Sequence, residues 1–94
     1  MIYRVEKSAR FKKGVKRMSK RGVNVSELSY VINELKFGRK LDEKYQDHKL
    51  TGDLEGYREC HVRPDWLLVY KYKNEILTLL LFDTGTHSEI FGIL

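Results

Sequence analysis

Cysteine occurs once in these 94 residues, at Cys60, which excludes an internal disulfide framework and fits a reducing compartment. No apolar run approaches the length of a membrane span, and the first few residues already carry charge. Neither a transmembrane helix nor a signal peptide is therefore expected, and the sequence reads as cytoplasmic. One cysteine and three histidines without a short-spaced pair make no recognisable zinc pattern. Glycine-rich phosphate loops are missing too, since Thr84-Gly85-Thr86 is a turn and one glycine does not cradle a nucleotide. The expectation is a protein with no metal and no cofactor. Acidic residues are nearly absent from residues 1–21, which hold nine of the 18 Lys and Arg but only Glu6 as an acid. Within a net charge of +5, this asymmetry points to a polyanionic partner, nucleic acid or an acidic protein, or else to a solvated helix face.

What is present suffices for one domain over residues 1–94 with one modest core. A hydrophobic content of 41% and an aromatic content of 12% argue for a folded chain. Ile2-Tyr3-Arg4-Val5 alternates as a short strand. Ser8 is placed to cap a helix in which Phe11, Val15 and Met18 recur, with Lys12, Lys13, Lys16, Arg17 and Lys20 on the other faces and Gly22 as the stop. A second helix starts at Asn24, where Glu27 completes a capping-box pattern, buries Leu28, Val31, Ile32 and Leu35, and ends at Gly38. Residues 39–56 read as a long irregular loop with His48 in its middle, the kind of loop that is functional or mobile. Strands follow at about 57–63, 66–73 and 75–83, turned by Pro64-Asp65 and near Asn74, the last two apolar enough to be covered on both faces. The order βααβββ predicts an α+β domain, two helices packed on one face of a mainly antiparallel four-stranded sheet.

The segment His61-Val62-Arg63-Pro64-Asp65-Trp66 sets an imidazole, a guanidinium, a carboxylate and an indole against a buried strand. Such groups are costly beside a core unless paired or used. His48 from the loop and His87 after the last strand can reach the same place. Imidazole is the side chain best poised to take and give protons near neutral pH. Cleaving RNA through its 2′-hydroxyl needs a base for that proton, cationic groups for the crowded phosphate and an acid for the departing 5′-oxygen. The histidines with Arg58 or Arg63 could supply all three without a metal. Asp65 could orient a neighbouring imidazole. Trp66 and Phe91 either stack a base or serve the fold, Trp66 as core and Phe91 as a plug for the end of the sheet. Cys60 alternates to the strand face opposite His61 and reads as packing, not as a nucleophile.

Three stretches carry a family resemblance: Tyr45-Gln46-Asp47-His48-Lys49-Leu50, Gly56-Tyr57-Arg58-Glu59-Cys60-His61-Val62-Arg63-Pro64-Asp65-Trp66, and Thr84-Gly85-Thr86-His87-Ser88-Glu89-Ile90-Phe91-Gly92. In these the chain resembles the YafQ branch of the RelE/ParE superfamily of bacterial toxins over essentially its whole length. The resemblance implies a RelE-like fold and a type II toxin that enters the A site of the 70S ribosome and cuts the mRNA there. It places His48, His61, Asp65 and His87 in the catalytic set, with His87 as the general acid and one of the other three taking or relaying the 2′-hydroxyl proton. Trp66 and Phe91 match positions that contribute to activity. Arg58 and Arg63 are added here as phosphate cations on chemical grounds, and Lys12, Lys13 and Lys16 would face ribosomal RNA. The resemblance also implies a DinJ/RelB-like antitoxin, acidic and folding on binding, through which alone the complex would meet operator DNA. Two other classes stay open: a non-enzymatic gyrase poison of the same superfamily, and a basic RNA- or ribosome-binding module without chemistry.

Overall fold

The run Trp66–Tyr70 is buried residue by residue, so both faces of its strand must be covered, and the rest of the chain does the covering. The computed structural model describes residues 2–73 and 77–92. In it, β1 (Arg4–Lys7), β2 (His48–Lys49), β3 (Arg58–Arg63), β4 (Trp66–Lys73) and β5 (Thr78–Gly85) form one sheet in the order β1-β5-β4-β3-β2. β1 runs parallel to β5, and every other pairing is antiparallel. The α+β class expected from the sequence is therefore observed, but the sheet has five strands where four were expected. The extra one, β2, is a two-residue piece inside the long loop, made by pairing His48 with Glu59 and Lys49 with Arg58. Two polar residues carry no periodicity, so pairing alone creates it. The expected turn near Asn74 and the start of the last strand at 75–76 lie outside the described residues.

Helices α1 (Ala9–Lys20) and α2 (Val25–Lys36) cover one face. Phe11, Met18, Leu28, Val31 and Leu35 meet Cys60, Val62, Trp66, Leu68, Tyr70, Leu79 and Leu81 there. A side chain of this size contributes about 1.5–3 kcal/mol when fully buried, so this layer dominates stability. α1 lies so close to β5 that a Cβ on Gly14 would fall 2.1 Å from the carbonyl oxygen of Thr84. The helix can approach only because that residue has no side chain. On the opposite face Leu67 and Val69 pack with Ile90 of α3 (His87–Phe91), supported by Leu50, Leu54, Tyr57 and Phe82. Among the described residues no helix is long and apolar enough to cross a membrane.

The helix starts follow the capping chemistry with one correction. The Ser8 hydroxyl accepts from Phe11 N–H at 3.0 Å, and Asn24 Oδ1 accepts from Ser26 N–H at 3.0 Å. Glu27 does not complete a capping box, because its carboxylate is turned to Arg63 instead. The reciprocal box occurs at α3, where Thr86 Oγ1 accepts from Glu89 N–H and Glu89 Oε1 accepts from Thr86 N–H at 2.9 Å. That box fixes the direction in which His87, the first residue of α3, leaves the sheet.

Candidate active site

Alternation along β3 sends Cys60 and Val62 into the helical layer and Glu59 and His61 to the other face. β2 delivers His48 beside Glu59 by backbone pairing. The Pro64-Asp65 turn between β3 and β4 holds Asp65 at the rim, next to the start of α3. Four residues distant in sequence thus share one surface. His48, His61 and His87 form a row with ring centroids 6.2 Å and 5.6 Å apart.

Two carboxylates hold this row. His87 Nδ1 lies 2.6 Å from Asp65 Oδ1, which also accepts from the His87 backbone N–H at 3.1 Å. These bonds hold the Asp65 carboxyl below its ordinary range. An ionised carboxylate only accepts, so Nδ1 carries the hydrogen and Nε2 is the nitrogen left for chemistry. The second carboxylate is Glu59, 4% exposed, with Oε1 3.5 Å from His48 Nε2 and 3.4 Å from His61 Nε2. His48 Nδ1 donates to the Gln46 carbonyl at 2.7 Å, which turns Nε2 toward Glu59. Glu59 was given no role from the sequence. Its place in strand register with His61, two residues on, was the signal that could have found it.

The neighbouring Asp47 explains how the loop is held. Its carboxylate accepts from Arg58 (Nη2 to Oδ2 at 3.0 Å) and from the Tyr70 hydroxyl (2.6 Å). Burial pushes the Tyr70 hydroxyl up, so it remains a donor across the physiological range. This clamp sits one residue before His48 and pins the loop that carries it.

The same clamp corrects one expectation. Arg58 shares its strand face with Cys60, away from His61, and its guanidinium is spent on Asp47, so it does not offer a free cation to a phosphate beside the histidines. Trp66, read either as a base-stacking surface or as core, takes the second place. At 2% exposure it lies in the core, its Nε1–H donating to Thr84 Oγ1 at 3.0 Å. An indole on the even-numbered face of β4 points under the helices because the first residue after the tight turn must continue the Trp66, Leu68, Tyr70 alternation. Phe91, by contrast, is 48% exposed on α3, the helix that carries His87. Arg63 is exposed and pairs with Glu27. Cys60 is buried, and that burial pushes its thiol up, which agrees with a packing role.

Lys12, Lys13 and Lys16 are exposed on α1. Lys13 and Lys16 join Arg17, Lys20 and Arg21 in a basic surface that reaches the site through Glu89, whose carboxylate is held by Arg17 Nε at 2.6 Å and by Arg21. The bonds from Arg21, then from Thr86, take the Glu89 carboxyl down to about 2. One further chemical capacity is present. Ligand atoms of Glu59, His61 and His87 lie within 4.8 Å of one another, a spacing at which they could hold a metal ion.

Residues 3–92 match the family model described as bacterial toxin of type II toxin-antitoxin system, YafQ. The mRNA interferase toxin YafQ of Escherichia coli (strain K12) is 41% identical over 95 residues, covering 98% of this chain and all of that one. Among solved structures, a metal-bound toxin from Helicobacter pylori superposes with a TM-score of 0.89 at 42% identity, covering 97% of this chain and 100% of that chain. The E. coli DinJ-YafQ toxin-antitoxin complex superposes with a TM-score of 0.88 at 36% identity, covering 98% and 100%. With every residue of the site segments inside the matched region, the chain belongs to the YafQ family of type II toxin–antitoxin toxins.

Proposed function

We propose that the chain is an endoribonuclease that cleaves mRNA in the ribosomal A site by acid–base catalysis through the 2′-hydroxyl. The observation that supports this reading is the row of three imidazoles beside two carboxylates, with the His48 ring set by Gln46 and the His87 ring by Asp65. In the reaction, a base removes the 2′-hydroxyl proton, the 2′-oxygen attacks the adjacent phosphorus, and the bond to the 5′-oxygen breaks as that oxygen takes a proton. His87 serves as the acid through Nε2, and Asp65, already occupied by His87, orients it. The base is then an imidazole of the His48–Glu59–His61 array, which keeps the 2′-hydroxyl proton as imidazolium beside the shared carboxylate that stabilises it. Arg63, exposed on the strand that carries His61, is the candidate cation for the phosphate, and Phe91 the surface for a base. Lys12, Lys13 and Lys16, with the rest of the basic α1 surface, bind ribosomal RNA with little sequence selectivity.

The E. coli relative is solved with its antitoxin. By that likeness a DinJ/RelB-like antitoxin covers this chain in a toxin–antitoxin complex, neutralises it in the cytoplasm and supplies any contact with operator DNA. The H. pylori relative is solved with metal bound. We infer that a transition-metal ion at Glu59, His61 and His87 would inhibit, because it takes the nitrogens that acid–base cleavage requires.

The test is to map mRNA 5′ ends after adding purified protein to a cell-free translation reaction, with the same RNA alongside without ribosomes. New ends inside codons, in frame and only with ribosomes, are expected. They should fall by at least about 100-fold in His87→Ala and in Glu59→Gln, the lower range for losing an acid–base group. Ends in both samples would remove the ribosome from the mechanism. No ends from folded protein, with DNA breaks made by gyrase in cells, would replace the nuclease by a gyrase poison.

A further inference from the structure

Beyond Glu59, the outer edge of β3 has no strand beside it, because β2 is two residues long. A groove of about 820 Å³ opens there, between β3, the exposed face of α2 and the turn at residues 42–46. His61 lines it and also stands in the imidazole row, so the two share that side chain. Its walls carry two aromatic rings, Tyr30 from α2 and Tyr45 from the turn, with centroids 6.5 Å apart and planes tilted by 35°. Tyr30 is 55% exposed, so its ring is open to a ligand. The spacing is close to twice the roughly 3.4 Å separation of stacked bases. Gln46, which follows Tyr45 and also lines the groove, ends the turn in a left-handed conformation (φ 49°).

Charge in the groove favours a nucleotide over an acidic or basic peptide. Each of its two acids is engaged: Glu27 by Arg63, and Asp42 by the Lys44 N–H at 3.0 Å. Arg63 is the movable element. Its pair with Glu27 is exposed on both sides, and such pairs contribute about 0–1 kcal/mol, little enough for a phosphate to compete. A chain of RNA whose scissile phosphate lies at His61 and His87 must send a neighbouring nucleoside away from the row, and this groove is the way out past His61.

We propose that the groove is a nucleoside subsite: it receives the base next to the cleaved linkage against Tyr30 and Tyr45, while Arg63 leaves Glu27 for the adjoining phosphate. The proposal rests on the nuclease reading for its substrate, and binding is measured separately from cleavage so that the two can fail independently. The probe is an RNA trinucleotide with a 2′-deoxy residue at the cleaved position, which binds but lacks the nucleophile. A matched trinucleotide is abasic at the flanking position. Wild-type protein should bind the first at least about fivefold more tightly, the lower end of base–aromatic stacking, with shifts of the Tyr30 and Tyr45 ring resonances. Tyr30→Ala, a change at an exposed side chain, should bind the two alike, and Arg63→Ala should weaken both equally.

A preference for the intact base that survives Tyr30→Ala would overturn the proposal, as would no binding up to millimolar trinucleotide. Unchanged trinucleotide binding with weakened capture of the antitoxin by Tyr30→Ala would assign the groove to a protein segment and likewise overturn it. If the base preference is present and lost in Tyr30→Ala while no mRNA ends form, the subsite stands and the nuclease reading falls.

Discussion

Trp66→Phe separates a structural tryptophan from one that touches RNA. The substitution removes the hydrogen bond from Nε1 to Thr84 Oγ1, 3.0 Å long, worth about 1 kcal/mol net. Loss of the pyrrole ring uncovers on the order of 40 Å² of packing surface, ~1 kcal/mol at roughly 25 cal/mol per Å². The void left in a layer with Leu68 and Tyr70 adds up to about 1 kcal/mol. Thr84 Oγ1 still donates to the Leu67 carbonyl at 2.6 Å, so the hydroxyl is not orphaned and the cost stops there. The expected loss is about 2–3 kcal/mol. A chain of 94 residues with roughly 5–14 kcal/mol of stability remains folded after it. Urea unfolding should be followed by circular dichroism, because the chain has no second tryptophan to report by fluorescence. Cleavage per folded molecule should fall by less than about tenfold, since the ring does not reach the surface. Abolished cleavage with the unfolding free energy within about 0.5 kcal/mol of wild type would refute this, and would mean that the indole meets the codon.

Other outcomes follow from the same geometry. Gly14→Ala drives a Cβ to 2.1 Å from the Thr84 carbonyl oxygen, so α1 must lift from β5; melting should drop by on the order of 10 °C, and an unchanged Tm would contradict the close approach. Glu89 has a folded-state value of about 2 against an ordinary 4.5, so its contribution is full above pH 4.5 and lost as pH falls toward 2. The Tm of wild type should therefore fall toward that of Glu89→Gln over this interval, and curves that stay parallel would show that the carboxylate is not the source. Zn²⁺ or Cu²⁺ added at stoichiometric concentration should stop cleavage, a chelator should restore it, and His87→Gln should weaken metal binding; acceleration by the metal would replace acid–base chemistry with metal-assisted hydrolysis.

The helical layer was legible because burial imposes a period: Phe11 and Met18 in α1, and Leu28, Val31 and Leu35 in α2, are buried where the spacing puts them, with Gly14 the buried position the apolar pattern does not mark. β4 begins and ends where alternation and turn chemistry place it, at Trp66 and Lys73. Of the site, the three histidines and their convergence were readable, but the means was not, since His48 is brought in by β2, a strand defined only by its partner. Glu59 was hidden for a related reason. A buried acid looks like a surface acid in sequence until the two imidazoles that satisfy it are placed beside it. Arg58 was misread because a cation's usefulness depends on whether another group has already taken it, and Asp47 has. The Thr86-x-x-Glu89 box, in contrast, is present in the letters, a threonine followed three residues later by a glutamate, the pattern that Asn24 and Glu27 only resemble.

The parallel pairing of β1 with β5 sets a schedule. β1 is made early, yet its only neighbour in the strand order is made after both helices, the loop and the β3–β4 hairpin. α1 likewise waits for β5, against which Gly14 must close, and His87 follows β5 directly. A partly synthesised chain therefore carries the basic surface and most of the imidazoles but no finished sheet to arrange them. The sheet is therefore completed late, when β5 enters between β1 and β4, and the surface that carries the three imidazoles is assembled only then.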